Sequence, residues 1–268
     1  MAAASGRASG SSSPVVRGKG VRLAYGTSVA VETSDFAMPG AAVTAIIGPN
    51  GSGKSTLLHA VAGLMGPLAG SITVLGTDPE LARRRVSYVL QSVAVPVGVP
   101  ISVIEAVGMA RYPSLGLLRR PGRVDRERVA EAMAALDIEH LARRHLSELS
   151  GGQRQRVYVA QGIAQDHDLL VLDEPLTGLD MTSAQTINRI IRAASGGGRA
   201  VVLTTHDLDV AMAADNVLLM AGRVLGCGEP KAVLTRSAIE TAYGLGALRE
   251  GVPYLADPGA HHHAHDAE

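Results

Sequence analysis

The 268-residue sequence has no tryptophan, one phenylalanine and one cysteine. Aromatic residues make up 3% and hydrophobic residues 46%, so a core has to be assembled from Val, Leu, Ile and Ala. The single thiol, Cys227, excludes an internal disulfide framework and fits a reducing compartment. It reads as a small apolar filler in a strand rather than as a catalytic thiol. No run approaches the ~20 apolar residues that a spanning helix needs. An excess of either charge is also lacking. With 25 basic residues against 25 acidic ones, the chain carries no electrostatic footprint for nucleic acid and no polybasic membrane anchor. The segment 1–15 is mostly Ala, Gly and Ser without the apolar stretch of a secretory signal, and is expected to be a disordered lead-in.

The length suits one sizeable domain with elaborations, and the composition is globular from about Val16 to about Gly244. Ala42 to Ile47, Leu169 to Leu172 and Ala200 to Thr205 are short apolar runs without polar alternation, the pattern of strands buried on both faces of a parallel sheet. Helical patterns lie between them at Lys54 to Met65, Asp125 to Leu136, Gln153 to Gln165 and Met181 to Ala194. Val157, Ala160 and Ala164 give the third of these an apolar face. Gly196, Gly197 and Gly198 close the fourth, where a left-handed residue is needed. Strands alternating with helices predict an α/β fold. The Pro- and Gly-rich stretch from Ser92 to Arg123 breaks that rhythm and suggests an inserted subdomain, spanning about 92–165. From residue 250 to 268 the chain reads as a flexible tail with His261, His262, His263, His265 and Asp266 close together. Such a cluster is able to hold a transition metal loosely; a tag-like remnant explains it equally well.

Gly48-Pro49-Asn50-Gly51-Ser52-Gly53-Lys54-Ser55-Thr56 fits the phosphate-cradling pattern GxxxxGK[ST] and lies between an expected strand and an expected helix. Its glycines let backbone N–H groups converge on phosphate oxygens, and the helix N-terminus adds the positive end of its dipole. Lys54 supplies charge to the β- and γ-phosphates of a nucleotide, and Ser55 offers a hydroxyl to Mg²⁺. Leu169 to Leu172 then delivers Asp173 and Glu174 at the carboxyl end of a strand, where ligands bind in open α/β sheets. Asp173 suits Mg²⁺, and Glu174 suits polarisation of an attacking water. Together the two motifs predict a nucleoside-triphosphate hydrolase without saying which kind.

Leu149-Ser150-Gly151-Gly152-Gln153 is more specific. With it the sequence resembles the ABC transporter ATPase family, whose LSGGQ signature precedes the second acidic strand. Other family elements follow in order: Gln91 matches the Q-loop, Gly178-Leu179-Asp180 the D-loop, and His206 the switch histidine. Tyr25 matches the aromatic that stacks on adenine. The resemblance covers roughly Val16 to Arg236. It implies a P-loop NTPase fold with a RecA-like core, an antiparallel β subdomain and an inserted α-helical subdomain. It further implies a head-to-tail homodimer in which the LSGGQ of one copy closes over ATP held by the phosphate loop of the other. Lys54 and Ser150 would then neutralise the γ-phosphate, Ser55, Gln91 and Asp173 would hold Mg²⁺, and Glu174 would act on water. His206 would contact the γ-phosphate, and Asp180 would communicate between the sites. Taken alone, Ser150 and Gly151 also fit a helix cap, and Tyr25 also fits a core position.

The phrase from Pro100 to Met109 and the loop Gly116 to Arg120 look like the ATPases of zinc and manganese uptake systems. Val159 to Gln165 is similar to actinobacterial zinc-system ATPases. The cargo expected from this relatedness is zinc first, manganese second and iron chelates third. The implied partners are integral membrane permease subunits and, indirectly, an extracytoplasmic substrate-binding protein. The implied location is the cytoplasmic face of the membrane, as a peripheral subunit. ABC proteins that remodel DNA or ribosomes share the motifs, but they carry a long coiled-coil insertion or a second cassette, and this sequence has one GKS and one LSGGQ.

Overall fold

The computed structural model describes residues 13–90, 100–115 and 120–244. Gln91, the stretch 92–99, residues 116–119, the lead-in up to residue 12 and the tail from residue 245 lie outside the described residues.

Among the described residues, nine strands make two sheets. The smaller contains β1 (Val16–Tyr25), β2 (Ser28–Met38) and β4 (Ala69–Val74) in the antiparallel order β2-β1-β4. The larger contains β3 (Val43–Ile47), β5 (Val86–Val89), β6 (Leu169–Leu172), β7 (Ala200–Thr205), β8 (Asn216–Met220) and β9 (Val224–Gly228). Its order is β5-β6-β7-β3-β8-β9, parallel throughout except for β9. Every residue of β3, β6 and β7 is buried, as their unbroken apolar runs require. One apolar cluster joins alternate residues of these strands to the helical region; a second joins the opposite set to the small sheet and to the Lys54–Val61 helix. Each fully buried Leu, Ile or Val in them contributes about 1.5–3 kcal/mol relative to exposure.

The insertion is helical as expected, with segments Val103–Gly108, Tyr112–Leu115, Arg123–Ala135 and Gly151–Ala164. Buried Arg111 ties three of its parts together. Its guanidinium donates to Asp125 Oδ1 at 3.0 Å, to the Ala164 carbonyl at 2.8 Å and to Asp166 Oδ2 at 2.9 Å. The last two acceptors lie at the carboxyl end of the Gly151–Ala164 helix.

Helix ends differ from the sequence reading. The first helix stops at Val61, short of Met65, because the chain turns through Gly63 at φ 71° against the Pro79 carbonyl. The Met181–Gly196 helix runs two residues past Ala194, since the left-handed turn falls on Gly198 at φ 85°. Cys227 lies in β9 as expected, with Sγ 3.1 Å from the Ala37 carbonyl.

Candidate active site

Three adjacent parallel strands, β6, β7 and β3, end on the same edge of the larger sheet. β3 runs directly into Gly48 and the phosphate loop, β6 into Asp173 and Glu174, and β7 into His206. The sheet thereby gathers residues 48, 173 and 206, far apart in sequence, at the edge where open α/β sheets bind ligands.

The loop from Gly48 to Gly53 is held from two sides. Gly48 packs so closely on the end of β8 that a Cβ there would sit 2.1 Å from the Met220 carbonyl oxygen. Gly222 N–H donates to the Ser52 carbonyl at 3.2 Å, and Glu32 N–H, on β2, donates to the Gly222 carbonyl at 2.7 Å. Ser52 is buried, and among the described residues its Oγ has no hydrogen-bond partner. Lys54 opens the helix, with Nζ donating to the Gly48 and Pro49 carbonyls at 2.8 and 3.0 Å. Burial lowers the Lys54 pKa, while the negative charges of Glu174 and Asp173 act to raise it. Ser55 is exposed in the first helical turn and Thr56 is buried beneath it.

Thr204, buried near the end of β7, organises the two carboxylate residues beside it. Its hydroxyl donates to Asp173 Oδ1 at 2.5 Å and accepts the Glu174 N–H at 2.8 Å. Glu174 sits at φ 45°, a left-handed conformation that a non-glycine residue adopts only where its surroundings hold it. Thr177 Oγ1 donates to Glu174 Oε2 at 3.2 Å, and His206 Nδ1 lies 3.9 Å from the same oxygen. Glu174, Gly178, Thr204 and His206 line a cavity of about 110 Å³. His206 is exposed rather than packed in the core.

A second group surrounds the LSGGQ segment. Ser150 caps the Gly151–Ala164 helix by accepting the Gln153 N–H at 3.2 Å, and Gln153 Oε1 reaches back to the Ser150 N–H at 3.0 Å. Leu149 is buried, while Ser150 and Gly151 are exposed. Asp180 caps the Met181–Gly196 helix through the Ser183 N–H and hydroxyl, at 2.9 and 2.8 Å. Those bonds hold its carboxyl below the ordinary carboxylate range, the backbone one contributing most. Tyr25 ends β1 and is 53% exposed, so it is not a core tyrosine.

The ABC transporter family model matches residues 31–177, over half of the chain. The chain belongs to the ABC transporter family, as an ATP-binding and ATP-hydrolysing subunit. This ABC ATPase is 40% identical to the zinc transport system ATP-binding protein TroB of Treponema pallidum, over 83% of this chain and 84% of the relative. It is 34% identical to the manganese transport system ATP-binding protein MntB of Listeria monocytogenes, over 84% of this chain and 95% of the relative. Among solved structures it is similar to the dimeric post-hydrolysis state of the ATP-binding cassette MJ0796 bound to ADP and Pi. That match has a TM-score of 0.68 and 26% identity, covering 80% of this chain and 98% of the other. Among the described residues of this ABC ATPase, no helix is long and apolar enough to cross a membrane.

Sequence reasoning missed Thr204 and Thr177. A trace of the first was legible, because Thr204 is polar near the end of an otherwise apolar strand. Nothing in the spacing of Thr177 pointed to Glu174.

Proposed function

We propose that this chain is the motor of a divalent-metal importer whose cargo is zinc. The observation that carries the cargo assignment is the 40% identity to the zinc-system ATP-binding protein. The manganese-system relative makes manganese the second reading. In this reading the chain works as a head-to-tail homodimer on the cytoplasmic face of the membrane. It is bound to permease subunits and served indirectly by an extracytoplasmic substrate-binding protein.

Residue roles follow from the geometry and the family resemblance together. The backbone of residues 48–53, with Lys54, holds the phosphates of ATP. Ser55 and Asp173, with Gln91 from outside the described residues, suit Mg²⁺, a hard cation that takes oxygen ligands. The fit rests on a hydroxyl exposed in the first helical turn and a carboxylate fixed by Thr204. Bound there, Mg²⁺ would neutralise charge that develops on the phosphate oxygens. Glu174 orients water and accepts its proton, its backbone held by Thr204 and its carboxylate by Thr177. His206, 3.9 Å from Glu174 and lining the same cavity, contacts the γ-phosphate. Ser150 and Gly151 present an exposed helix start to the ATP of the partner copy. Asp180 links the sites. Tyr25 stacks on the adenine ring.

Work comes from contacts made only in the closed dimer. Moving a population from about 1:99 to 99:1 closed needs about 5.5 kcal/mol of preference for the closed state. The contact between Ser150 and the partner's nucleotide exists in that state alone, so it is able to supply such a difference. The test is deletion of the gene, followed by elemental analysis of the cells and growth under zinc or manganese limitation. The expected result is a loss of cellular zinc and a zinc requirement. A loss confined to manganese or iron overturns the zinc assignment.

A further inference from the structure

The Tyr25 hydroxyl lies 2.9 Å from His59 Nδ1, across 34 positions of sequence. Tyr25 ends a strand of the small sheet, whereas His59 belongs to the Lys54–Val61 helix that opens at the phosphate loop. The other side of the imidazole is also engaged. The Tyr88 ring meets it edge to face, with centroids 5.8 Å apart and planes at 87°. Tyr88 comes from β5, a third element. The imidazole therefore contacts one tyrosine hydroxyl and one tyrosine ring, on the helix that begins directly after the phosphate loop.

An exposed aromatic at a strand end is free to rotate about χ1 and χ2, and ordering it on binding costs free energy. A hydrogen bond at the far end of its ring removes that freedom beforehand. We propose that His59 is a positioning residue for base recognition: it fixes the Tyr25 ring, relative to the phosphate loop, in the orientation that stacks on adenine. The inference rests on the reading of Tyr25 as the base-stacking residue. It accounts for a polar side chain on a helix whose neighbouring positions, Leu57, Leu58, Ala60 and Val61, are all buried and apolar.

The test compares ATP with inorganic tripolyphosphate, which carries the phosphates without a base. Affinities of both are measured for the full chain and for the variants Tyr25→Ala, Tyr25→Phe, His59→Leu and the Tyr25→Phe/His59→Leu pair. Loss of one hydrogen bond predicts about a two- to tenfold weaker affinity for ATP in Tyr25→Phe and in His59→Leu. Tripolyphosphate affinity stays unchanged, and the double variant is no weaker than the weaker single one. Equal losses for ATP and tripolyphosphate in His59→Leu overturn the proposal, because they place the effect on the phosphate-loop helix. Weakening by Tyr25→Ala with none by Tyr25→Phe or His59→Leu leaves stacking intact and overturns the positioning role. Unchanged ATP affinity in Tyr25→Ala removes the stacking reading and the inference with it.

Discussion

Gly152 lies so close to Asp180 that a Cβ on it would sit 2.7 Å from Asp180 Oδ2 and 2.8 Å from Ser183 Oγ. Both neighbours are locked by their own hydrogen bonds, so neither yields without uncapping the Met181–Gly196 helix. The start of the LSGGQ helix and Asp180 are thus in physical contact within one copy. Gly152→Ala is expected to lower the ATPase rate at least tenfold while ATP affinity of the single subunit is retained. Steady-state turnover measured beside equilibrium nucleotide binding checks this, and an unchanged rate contradicts it.

Glu174→Gln keeps the size of the side chain and removes the base proposed for hydrolysis. Turnover is expected to fall by roughly 10²–10⁴-fold, the usual contribution of a positioned proton acceptor. ATP is then expected to hold the subunits together as a stable dimer, visible by light scattering. A variant with wild-type turnover would displace Glu174 from the role proposed for it.

Thr204→Val removes one hydroxyl and two hydrogen bonds at once, leaving the Glu174 N–H and one oxygen of Asp173 without that partner. Buried groups deprived of partners cost about 1–3 kcal/mol each, so a destabilisation of roughly 2–6 kcal/mol is expected in urea unfolding. Hydrolysis should fall more than ATP affinity, because the geometry of both carboxylates is disturbed. Thr204→Ser restores the hydroxyl and should recover most of both losses.

Arg111→Met removes the guanidinium that donates to Asp125 and should destabilise the chain by roughly 3–5 kcal/mol at neutral pH. Part of that loss depends on acid. The hydrogen bond from Arg111 holds the Asp166 carboxyl below its ordinary 3.8. A carboxylate depressed in the folded state contributes its stability fully above the ordinary value and loses it as pH falls through the lowered one. The gap between wild type and variant should therefore narrow below about pH 4. Unfolding midpoints at neutral and acidic pH check this, and a constant gap would remove Asp166 from the account.

Much of the catalytic edge was legible because its motifs are local. The runs Leu169 to Leu172 and Ala200 to Thr205 are strands with the boundaries their composition suggests, and the phosphate loop lies between a strand and a helix as its pattern requires. What stayed hidden is non-local. Thr204 meets Glu174 across 30 positions and Tyr25 meets His59 across 34, and no periodicity encodes either distance. The left-handed backbone of Glu174 was equally invisible, since a glutamate carries no intrinsic preference for it. Helix ends were misplaced for a different reason. Glycine permits a left-handed turn wherever it stands, and packing decides which glycine takes it, as Gly63 and Gly198 illustrate.

The phosphate loop leans on the end of β8 through Gly48 and on β2 through Gly222, so elements from both sheets meet around it. Mechanically it is a hinge pin rather than a flap. A ligand that tightens the loop stiffens the seam between the two sheets, and heat or denaturant that parts the sheets opens the loop. Nucleotide occupancy should consequently protect backbone amides of β2 and of the β8–β9 turn from hydrogen exchange, although neither is named by any sequence motif.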